Sequence, residues 1–242
     1  NLYNFILMNI IQIFDRKETV PKCVKENILK LNPGCNYKLY DFKDGEEFIR
    51  NNYIKKLADR IVNKMHSLKR IAHKSDLLRY CLLYKLGGVY LDIDLEQIVS
   101  LKDIVKDYDF CSMTGQCREK TTYKKNTYDH DPIIANGFLY TKKMNPFLRK
   151  EIEFILNIPD QQRHGVICYH FYSSLKNLKF FNSFKFSPFK EFELNNFKCY
   201  FYRETFNKGK RHYTVNDFDD NILMNSNLNN YPPGFSKKKK KY

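Results

Sequence analysis

Tryptophan is missing from this sequence of 242 residues, so that 18 Tyr and 20 Phe must supply the large aromatic side chains of any core. Glycine and proline are also scarce, with 9 and 8 residues. Asn, Lys, Ile, Tyr and Phe are abundant instead, a bias typical of AT-rich genomes. Hydrophobic residues make up 43% and charged residues 29%, which excludes intrinsic disorder. We expect residues 1–242 to form a single domain with a large core.

Paired cysteine motifs are also lacking, since no two of the seven cysteines have C-x-x-C spacing. This absence argues against a zinc knuckle. The number of cysteines is odd and the chain is not small, so we expect reduced thiols in a cytosolic-type compartment. The cysteines are Cys23, Cys35, Cys81, Cys111, Cys117, Cys168 and Cys199.

A long apolar run is absent as well. Residues 2–14 are apolar, but 13 residues are too few to span a bilayer. They lack a basic flank before them and a cleavage signal after them, so neither a signal peptide nor a transmembrane segment is predicted. The chain begins at Asn1 rather than Met, and we expect a domain excised from a larger or viral protein.

Negative charge is in deficit, and the formal net charge is +15. Residues 237–241 are five consecutive lysines at the end of a segment, 225–242, that we expect to be an irregular basic tail. Such charge attracts phosphates, nucleic acids or anionic membranes. The alternative is that lysine is simply the common polar residue of an AT-rich genome, since the basic residues are spread along the chain.

Apolar spacing predicts strands that alternate with helices, and therefore an α/β fold with a mostly parallel sheet flanked by helices. The predicted strands cover residues 9–14, 36–41, 89–94, 107–113 and 132–141. The predicted helices carry apolar stripes at 20–31, 57–68, 71–82, 101–105 and 148–155. Residues 115–130 are polar and predicted to be a loop, and no pattern is clear beyond Pro159.

Two carboxylates at the end of a predicted strand suggest chemistry. In residues 89–94, alternate side chains point to opposite faces, so Asp92 and Asp94 would share one face. Their oxygens could approach to about 5 Å, where repulsion is about 3 kcal/mol at an effective dielectric constant of 20. A divalent cation such as Mn²⁺ or Mg²⁺ would remove that repulsion. A lone D-x-D could also be two solvated turn acids.

The residues before this pair make the pattern specific. Asp76 and Arg79 are three residues apart on the preceding helix, where they would share a face. They could also form an ordinary surface ion pair of little energetic value. The full run reads Ser-Asp-x-x-Arg-x-x-x-x-Tyr-x-x-Gly-Gly-Val-Tyr-Leu-Asp-x-Asp over residues 75–94.

This run resembles glycosyltransferase family 32, the group with a DXD-containing sugar-binding region that includes fungal initiating α-1,6-mannosyltransferases. It is also similar to the glucosyltransferase domain of large clostridial toxins. Residues 9–14, 31–41 and 134–137 resemble further family motifs, so the likeness covers about residues 9 to 156. Residues 164–166 match the family's T-G-P segment only weakly. The family's closing H-x-x-x-S-W cannot occur, because the sequence has no Trp.

The resemblance implies a GT-A type, Rossmann-like domain that transfers a sugar with retention of anomeric configuration. It implies a nucleotide-sugar donor, UDP- or GDP-linked, and a glycan or protein acceptor, with no nucleic acid expected. Asp94 would coordinate Mn²⁺ (or Mg²⁺) at the donor diphosphate. Asp92 would contact the donor ribose or sugar and a metal-bound water, while Asp76 and Arg79 would bind sugar hydroxyls.

Further donor-site residues follow from the same resemblance. Ile13 and Phe14 end the first strand, and Phe14 would stack on the base at the family's Trp position. Tyr90 would line the donor site, and Asn136 would touch the sugar near its anomeric carbon. The remaining metal ligand stays open between His170 and His212.

Two other functions compete with glycosyl transfer. A metal-dependent phosphohydrolase or nuclease could use the same acidic pair, but further acidic ligands with recognisable spacing are lacking, and Asp76, Arg79 and Gly87–Gly88 would be unexplained. A non-catalytic basic module could bind nucleic acid or acidic surfaces through its lysines, and residues 198–203 interleave aromatic and basic side chains. That module would not need paired acids.

Overall fold

The computed structural model describes residues 8–116, 121–123, 126–128, 132–161, 165–176, 190–194, 197–207, 212–217 and 219–227. These residues form an α/β structure in which helices cover both faces of one large sheet, as predicted. The described helices are α1 (Lys22–Leu31), α2 (Phe42–Asn52), α3 (Lys55–Ser67), α4 (Ile71–Leu86), α5 (Leu101–Val105), α6 (Pro146–Asn157) and α7 (Val166–Lys176).

The described strands form a ten-stranded sheet and a separate hairpin. In chain order they are β1 (Asn9–Ile13), β2 (Asn36–Tyr40), β3 (Gly88–Leu91), β4 (Leu95–Gln97), β5 (Phe110–Gln116), β6 (Thr121–Tyr123), β7 (Asn126–Tyr128), β8 (Pro132–Thr141), β9 (Lys190–Leu194), β10 (Phe197–Asn207), β11 (His212–Asn216) and β12 (Ile222–Ser226). The sheet order is β2-β1-β3-β8-β5-β10-β11-β12-β4, and β9 pairs with β10.

The sheet is mixed rather than mostly parallel. Parallel pairing holds for β1 with β2 and β3, as predicted, and again for β5 with β10. Connections between the first three strands contain helices, which parallel strands need for their crossovers. From β9 onward the connections between consecutive strands are too short for a helix, so these strands pair as antiparallel neighbours.

Two hydrophobic cores lie on opposite faces of the sheet. One packs α2, α3, α4, α6 and α7 against the sheet, and the other packs α1 and α5. Helix α4 is buried around most of its circumference, which explains why apolar residues occupy several of its faces. It ends where Gly87 and Gly88 adopt positive φ angles of 63° and 99°, as the predicted Gly-Gly stop requires.

Several boundaries differ from the sequence prediction. Helix α2 was not predicted, although the chain signals its start: Asp41 and Asp44 form a reciprocal capping box. Residues 115–130 were predicted to be a loop, but β5 extends to Gln116 and β6 pairs with β7. The irregular tail was predicted from Asn225, yet Asn225 and Ser226 belong to β12. The five lysines lie outside the described residues.

Candidate active site

The Asp-Ile-Asp segment forms a tight turn at the carboxyl end of β3. The strand ends at Leu91, and the Leu95 amide donates to the Asp92 carbonyl oxygen at 2.9 Å, which closes a β-turn. The Asp92 amide donates to the Gly137 carbonyl oxygen of β8 at 2.7 Å. The sequence predicted a strand through Asp94 with side chains on alternating faces. That prediction is wrong, because the strand ends at Leu91 and the chain turns between Asp92 and Leu95.

The Asp92 carboxylate contacts buried side chains with one oxygen and is partly exposed to solvent. Its Oδ1 accepts a hydrogen bond from the Tyr90 hydroxyl at 2.7 Å and lies 3.3 Å from Arg79 Nη1. The Arg79 guanidinium stacks over the Tyr90 ring, 4.2 Å from its centroid. Tyr90 is only 1% exposed, whereas the side chain of Asp92 is 34% exposed. Tyr90 thus supports the carboxylate from beneath.

Helix α4 and strand β8 complete this network. Arg79 Nη2 lies 3.4 Å from Asp76 Oδ1, and Arg79 Nη1 donates to the Asn136 carbonyl oxygen at 2.5 Å. The Asn136 amide donates to Asp76 Oδ1 at 2.7 Å and to the Tyr80 hydroxyl at 3.1 Å. The structure therefore brings Asp76, Arg79, Asn136, Tyr90 and Asp92 together.

The ion pair on α4 is not a surface pair. Asp76 and Arg79 are 7% and 5% exposed. Burial opposes the charge of Arg79, but its neighbours, in order Tyr90, Asp92 and Asp76, keep the pKa of the guanidinium above its ordinary value. Arg79 is a fixed cation under the Asp-Ile-Asp turn.

Asp94 is held by the C-terminal strands. It is buried, and its carbonyl oxygen accepts a hydrogen bond from the Asn227 amide at 2.5 Å. Just beyond it, β4 pairs with β12, with Leu95 opposite Ser226. The side-chain amides of Asn27 and Asn227 donate to the two oxygens of Glu96, at 2.7 and 2.9 Å. The hairpin of β11 and β12, called the C-terminal hairpin below, thus holds the Asp-Ile-Asp turn in place.

The residues assigned to the nucleotide end a neighbouring strand. Ile13 ends β1, and Phe14 follows it, with its amide donating to the Tyr40 carbonyl oxygen at 2.9 Å. Because β1 and β3 are parallel neighbours, Phe14 and Asp92 lie at the same edge of the sheet. Both Ile13 and Phe14 are buried.

The donor set at the turn fits a small divalent cation. Asp92 and Asp94 offer carboxylate oxygens, and Mg²⁺ or Mn²⁺ often uses one or two carboxylates and completes its shell with water and substrate phosphates. Within the described ranges, no three His, Cys, Asp or Glu side chains converge as a ready-made cage.

The two candidate histidines have different outcomes. On α7, His170 Nδ1 lies 2.9 Å from Glu151 Oε2, and its ring stacks on Phe154 with centroids 3.4 Å apart. Burial raises the pKa of the Glu151 carboxyl group, and the neighbouring His170 partly offsets this rise. His170 is thus engaged in the packing of α6 against α7. The side chain of His212, in β11, lies outside the described residues.

Gln12 is a site residue that the sequence interpretation missed. It is fully buried in β1, its Nε2 donates to the Asp92 carbonyl oxygen at 3.3 Å, and its Oε1 accepts from the Tyr37 hydroxyl at 2.9 Å. Burial raises the pKa of Tyr37 to about 12, so this phenol stays a neutral donor at physiological pH. The sequence signal was a polar residue between the apolar Ile11 and Ile13 of the strand.

This relay predicts a specific effect of Tyr37→Phe. Loss of the hydroxyl leaves a buried acceptor on Gln12 unsatisfied, which should lower the free energy of unfolding by about 1–3 kcal/mol. The loosened Asp92 main chain should also weaken Mn²⁺ binding several-fold, measured by calorimetry. Tyr53→Phe is the matched control, since the Tyr53 hydroxyl donates to the Cys81 carbonyl oxygen at 2.8 Å away from the turn. Equal loss of metal affinity in both variants would contradict the relay.

Gly137 also contributes to the site. The sequence analysis included it only as part of the motif at residues 134–137 and gave it no role. A Cβ atom at Gly137 would lie 2.9 Å from Asp92 Oδ2 and 3.4 Å from both Met113 Cε and the Tyr213 hydroxyl. The missing side chain therefore leaves room for the Asp92 carboxylate. It also shows that Tyr213, on β11, reaches the same space.

Comparisons with known proteins show a similarity that covers the N-terminal part of the chain. Residues 19–111 match the family described as glycosyltransferase sugar-binding region containing DXD motif. No curated protein matches the chain. Among solved structures, the chain is similar to one titled PaToxG Glycosyltransferase, at 16% identity over 70% of each chain, with a TM-score of 0.44.

The family match coincides with the geometry. Residues 19–111 include Asp76, Arg79, Tyr90 and the Asp92–Asp94 turn, which the fold brings together at one edge of an α/β sheet. The helices on both faces and the parallel β1–β3 unit are consistent with the predicted GT-A type. Residues 19–111 are therefore similar to the DXD-containing sugar-binding region of glycosyltransferases, and they include the acidic turn and the buried ion pair beneath it.

Proposed function

We propose that this protein is a metal-dependent, retaining glycosyltransferase that moves a sugar from a UDP- or GDP-sugar to a glycan or protein acceptor. The observation that carries the proposal is the position of Asp92. Its Oδ1 is fixed by Tyr90 and Arg79, while its side chain remains one-third exposed beside Asp94. A fixed, partly exposed carboxylate next to a second acidic residue and above a buried cation suits a substrate that is both phosphorylated and rich in hydroxyl groups.

The diphosphate end of the donor would lie at the turn. Asp94 would hold Mn²⁺ or Mg²⁺ there, with Asp92 reaching the cation through a bound water, and the cation would supply Lewis-acid stabilisation of the departing diphosphate. The turn hydrogen bond of Leu95 and the Asn227 contact hold the main chain at Asp92 and Asp94 in place before substrate arrives. Phe14, at the same edge of the sheet, is proposed to contact the base.

The sugar end of the donor would lie over α4 and β8. Asp76 and the Asn136 amide are joined at 2.7 Å, and Arg79 holds the Asn136 carbonyl. Carboxylate, amide and guanidinium groups match vicinal sugar hydroxyls. We propose that Asp76, Arg79 and Asn136 orient the sugar so that its anomeric carbon faces the acceptor. Because polar groups that bind hydroxyls can also bind a water molecule, slow donor hydrolysis is expected without an acceptor.

The alternatives explain less of this network. A phosphohydrolase or a basic binding module has no need for the buried set of Asp76, Arg79 and Asn136. Free thiols at Cys23, Cys35, Cys81, Cys111 and Cys168 support the proposal of a reducing compartment. None of the described helices is both long and apolar enough to cross a bilayer.

Metal dependence is the direct test of the proposed function. Donor hydrolysis should be measured with a panel of UDP- and GDP-sugars in MnCl₂. Excess EDTA should reduce hydrolysis to background, because the departing diphosphate loses its counter-charge, and Mn²⁺ should restore it best. Full turnover in excess EDTA would contradict metal dependence, and release of inorganic phosphate instead of sugar would favour a phosphohydrolase.

A further inference from the structure

Strand β11 lies far outside the segment that matches the family, yet it reaches the Asp-Ile-Asp turn. The Tyr213 amide donates to Ser226 Oγ of β12 at 2.9 Å, and β12 pairs with β4 directly after the turn. These contacts set the position of Tyr213 along the sheet. Its side chain is half-buried against the core that includes Phe138 and Met113.

The Tyr213 hydroxyl and one oxygen of Asp92 converge on the same space. Both lie close to the position that a Gly137 Cβ atom would occupy, at 3.4 and 2.9 Å. Asp92 Oδ1 is held by Tyr90 and Arg79, so the oxygen directed to this space is Oδ2. In the part of the chain that the structure describes, no hydrogen bond reaches Oδ2.

The chemistry of this pair is specific. A carboxylate oxygen accepts hydrogen bonds, and a phenolic hydroxyl both donates and accepts. Together they can hold one or two neighbouring hydroxyl groups. Because Gly137 has no side chain, that residue places no atom between the two oxygens.

We infer that Tyr213 is a specificity-determining residue that binds a sugar hydroxyl together with Asp92 Oδ2; this inference rests on the proposed function. The hydroxyl belongs to the donor, either to the transferred sugar or to the ribose. Tyr213 thereby makes the C-terminal hairpin a wall of the donor site.

Calorimetry on Tyr213→Phe tests this inference. The variant keeps the ring and loses only the hydroxyl, so the protein should fold with an unchanged melting temperature. The ligands are UDP, UDP-glucose, GDP and GDP-mannose in MnCl₂. We expect affinity for the nucleotide sugar that the wild type binds to fall about 3- to 10-fold, the loss expected for one neutral hydrogen bond.

The two sources of the hydroxyl give different results. If the nucleotide sugar alone binds more weakly, Tyr213 contacts the transferred sugar; if the nucleoside diphosphate weakens equally, it contacts the ribose. A second variant, Gly137→Ala, fills the same space from the opposite side and should weaken nucleotide-sugar binding at least as much. Tyr140→Phe is the control, because Tyr140 is half-buried in the same core on β8.

The possible failures are distinguishable. If the wild type binds a nucleotide sugar and both Tyr213→Phe and Gly137→Ala bind it equally well, the inference is wrong while the proposed function stands. If the folded wild type binds no nucleoside diphosphate or nucleotide sugar in Mn²⁺, the proposed function fails and the inference falls with it.

Discussion

Replacing Asp94 with Asn is expected to reduce sugar transfer and donor hydrolysis by about 10²–10³-fold or more, because a metal counter-charge contributes several kcal/mol to the transition state. Asp94 is buried, and its main-chain carbonyl accepts a hydrogen bond from the Asn227 amide. Since Asn has the same shape as Asp and keeps this main-chain contact, the substitution should leave the fold intact. In Mn²⁺, affinity for the nucleoside diphosphate should fall to the value measured without metal. Calorimetry with and without Mn²⁺ checks this, together with single-turnover kinetics.

Two further variants set the limits of this result. Asp103→Asn removes the same charge from α5, where Asp103 bonds to Ser100, and should change neither activity nor affinity. Asp76→Asn should cripple turnover yet leave nucleoside diphosphate affinity nearly unchanged, because Asp76 lies on α4 rather than at the turn. If Asp76→Asn lost diphosphate affinity as severely as Asp94→Asn, the proposed division of roles would be wrong.

Arg79→Ala should have the largest effect on stability. Arg79 is surrounded by Asp76, Asp92 and the Asn136 carbonyl, and its removal leaves a buried carboxylate without its cation. Breaking a buried pair in this way costs about 3–5 kcal/mol. For a chain of this size, that corresponds to a fall in melting temperature of about 6–20 °C.

Arg79→Lys separates stability from sugar recognition. Lysine keeps the charge near Asp76 and Asp92 but loses the planar fork that reaches the Asn136 carbonyl. We expect this variant to recover most of the lost stability and still to show strongly reduced turnover. An Arg79→Ala protein as stable as the wild type would show that the guanidinium does not support the site.

The first half of the fold was predictable because its apolar residues repeat with clear periods. The spacing of Val24 and Ile28 located α1, and the residues before Gly87 located α4, each close to its observed bounds. The i,i+3 spacing of Asp76 and Arg79 also predicted that they share a face of α4, and the two side chains lie 3.4 Å apart. The burial of this pair was not predicted, since it depends on how β8 packs against α4.

The turn at Asp92 was not predictable from local pattern. Val89, Leu91 and Ile93 alternate as in a strand, and all three are buried, so the period-2 pattern gave no sign of a bend. The bend is fixed by contacts with residues far along the sequence, Gln12 and Gly137. Tyr213 was missed for the same reason, because strand order, not spacing, brings it beside Asp92.

The pairing of β4 with β12 has a consequence for how the protein is made. Glu96 and Asn227 are 131 positions apart, and their contact closes one of the longest loops in the chain. At about 5–20 residues per second, a ribosome needs about 7–26 s to add that length. During synthesis, residues 19–111 leave the ribosome well before β12 does. Until β12 emerges, the edge of β4 is unpaired and the Asp94 carbonyl oxygen lacks the hydrogen bond from the Asn227 amide.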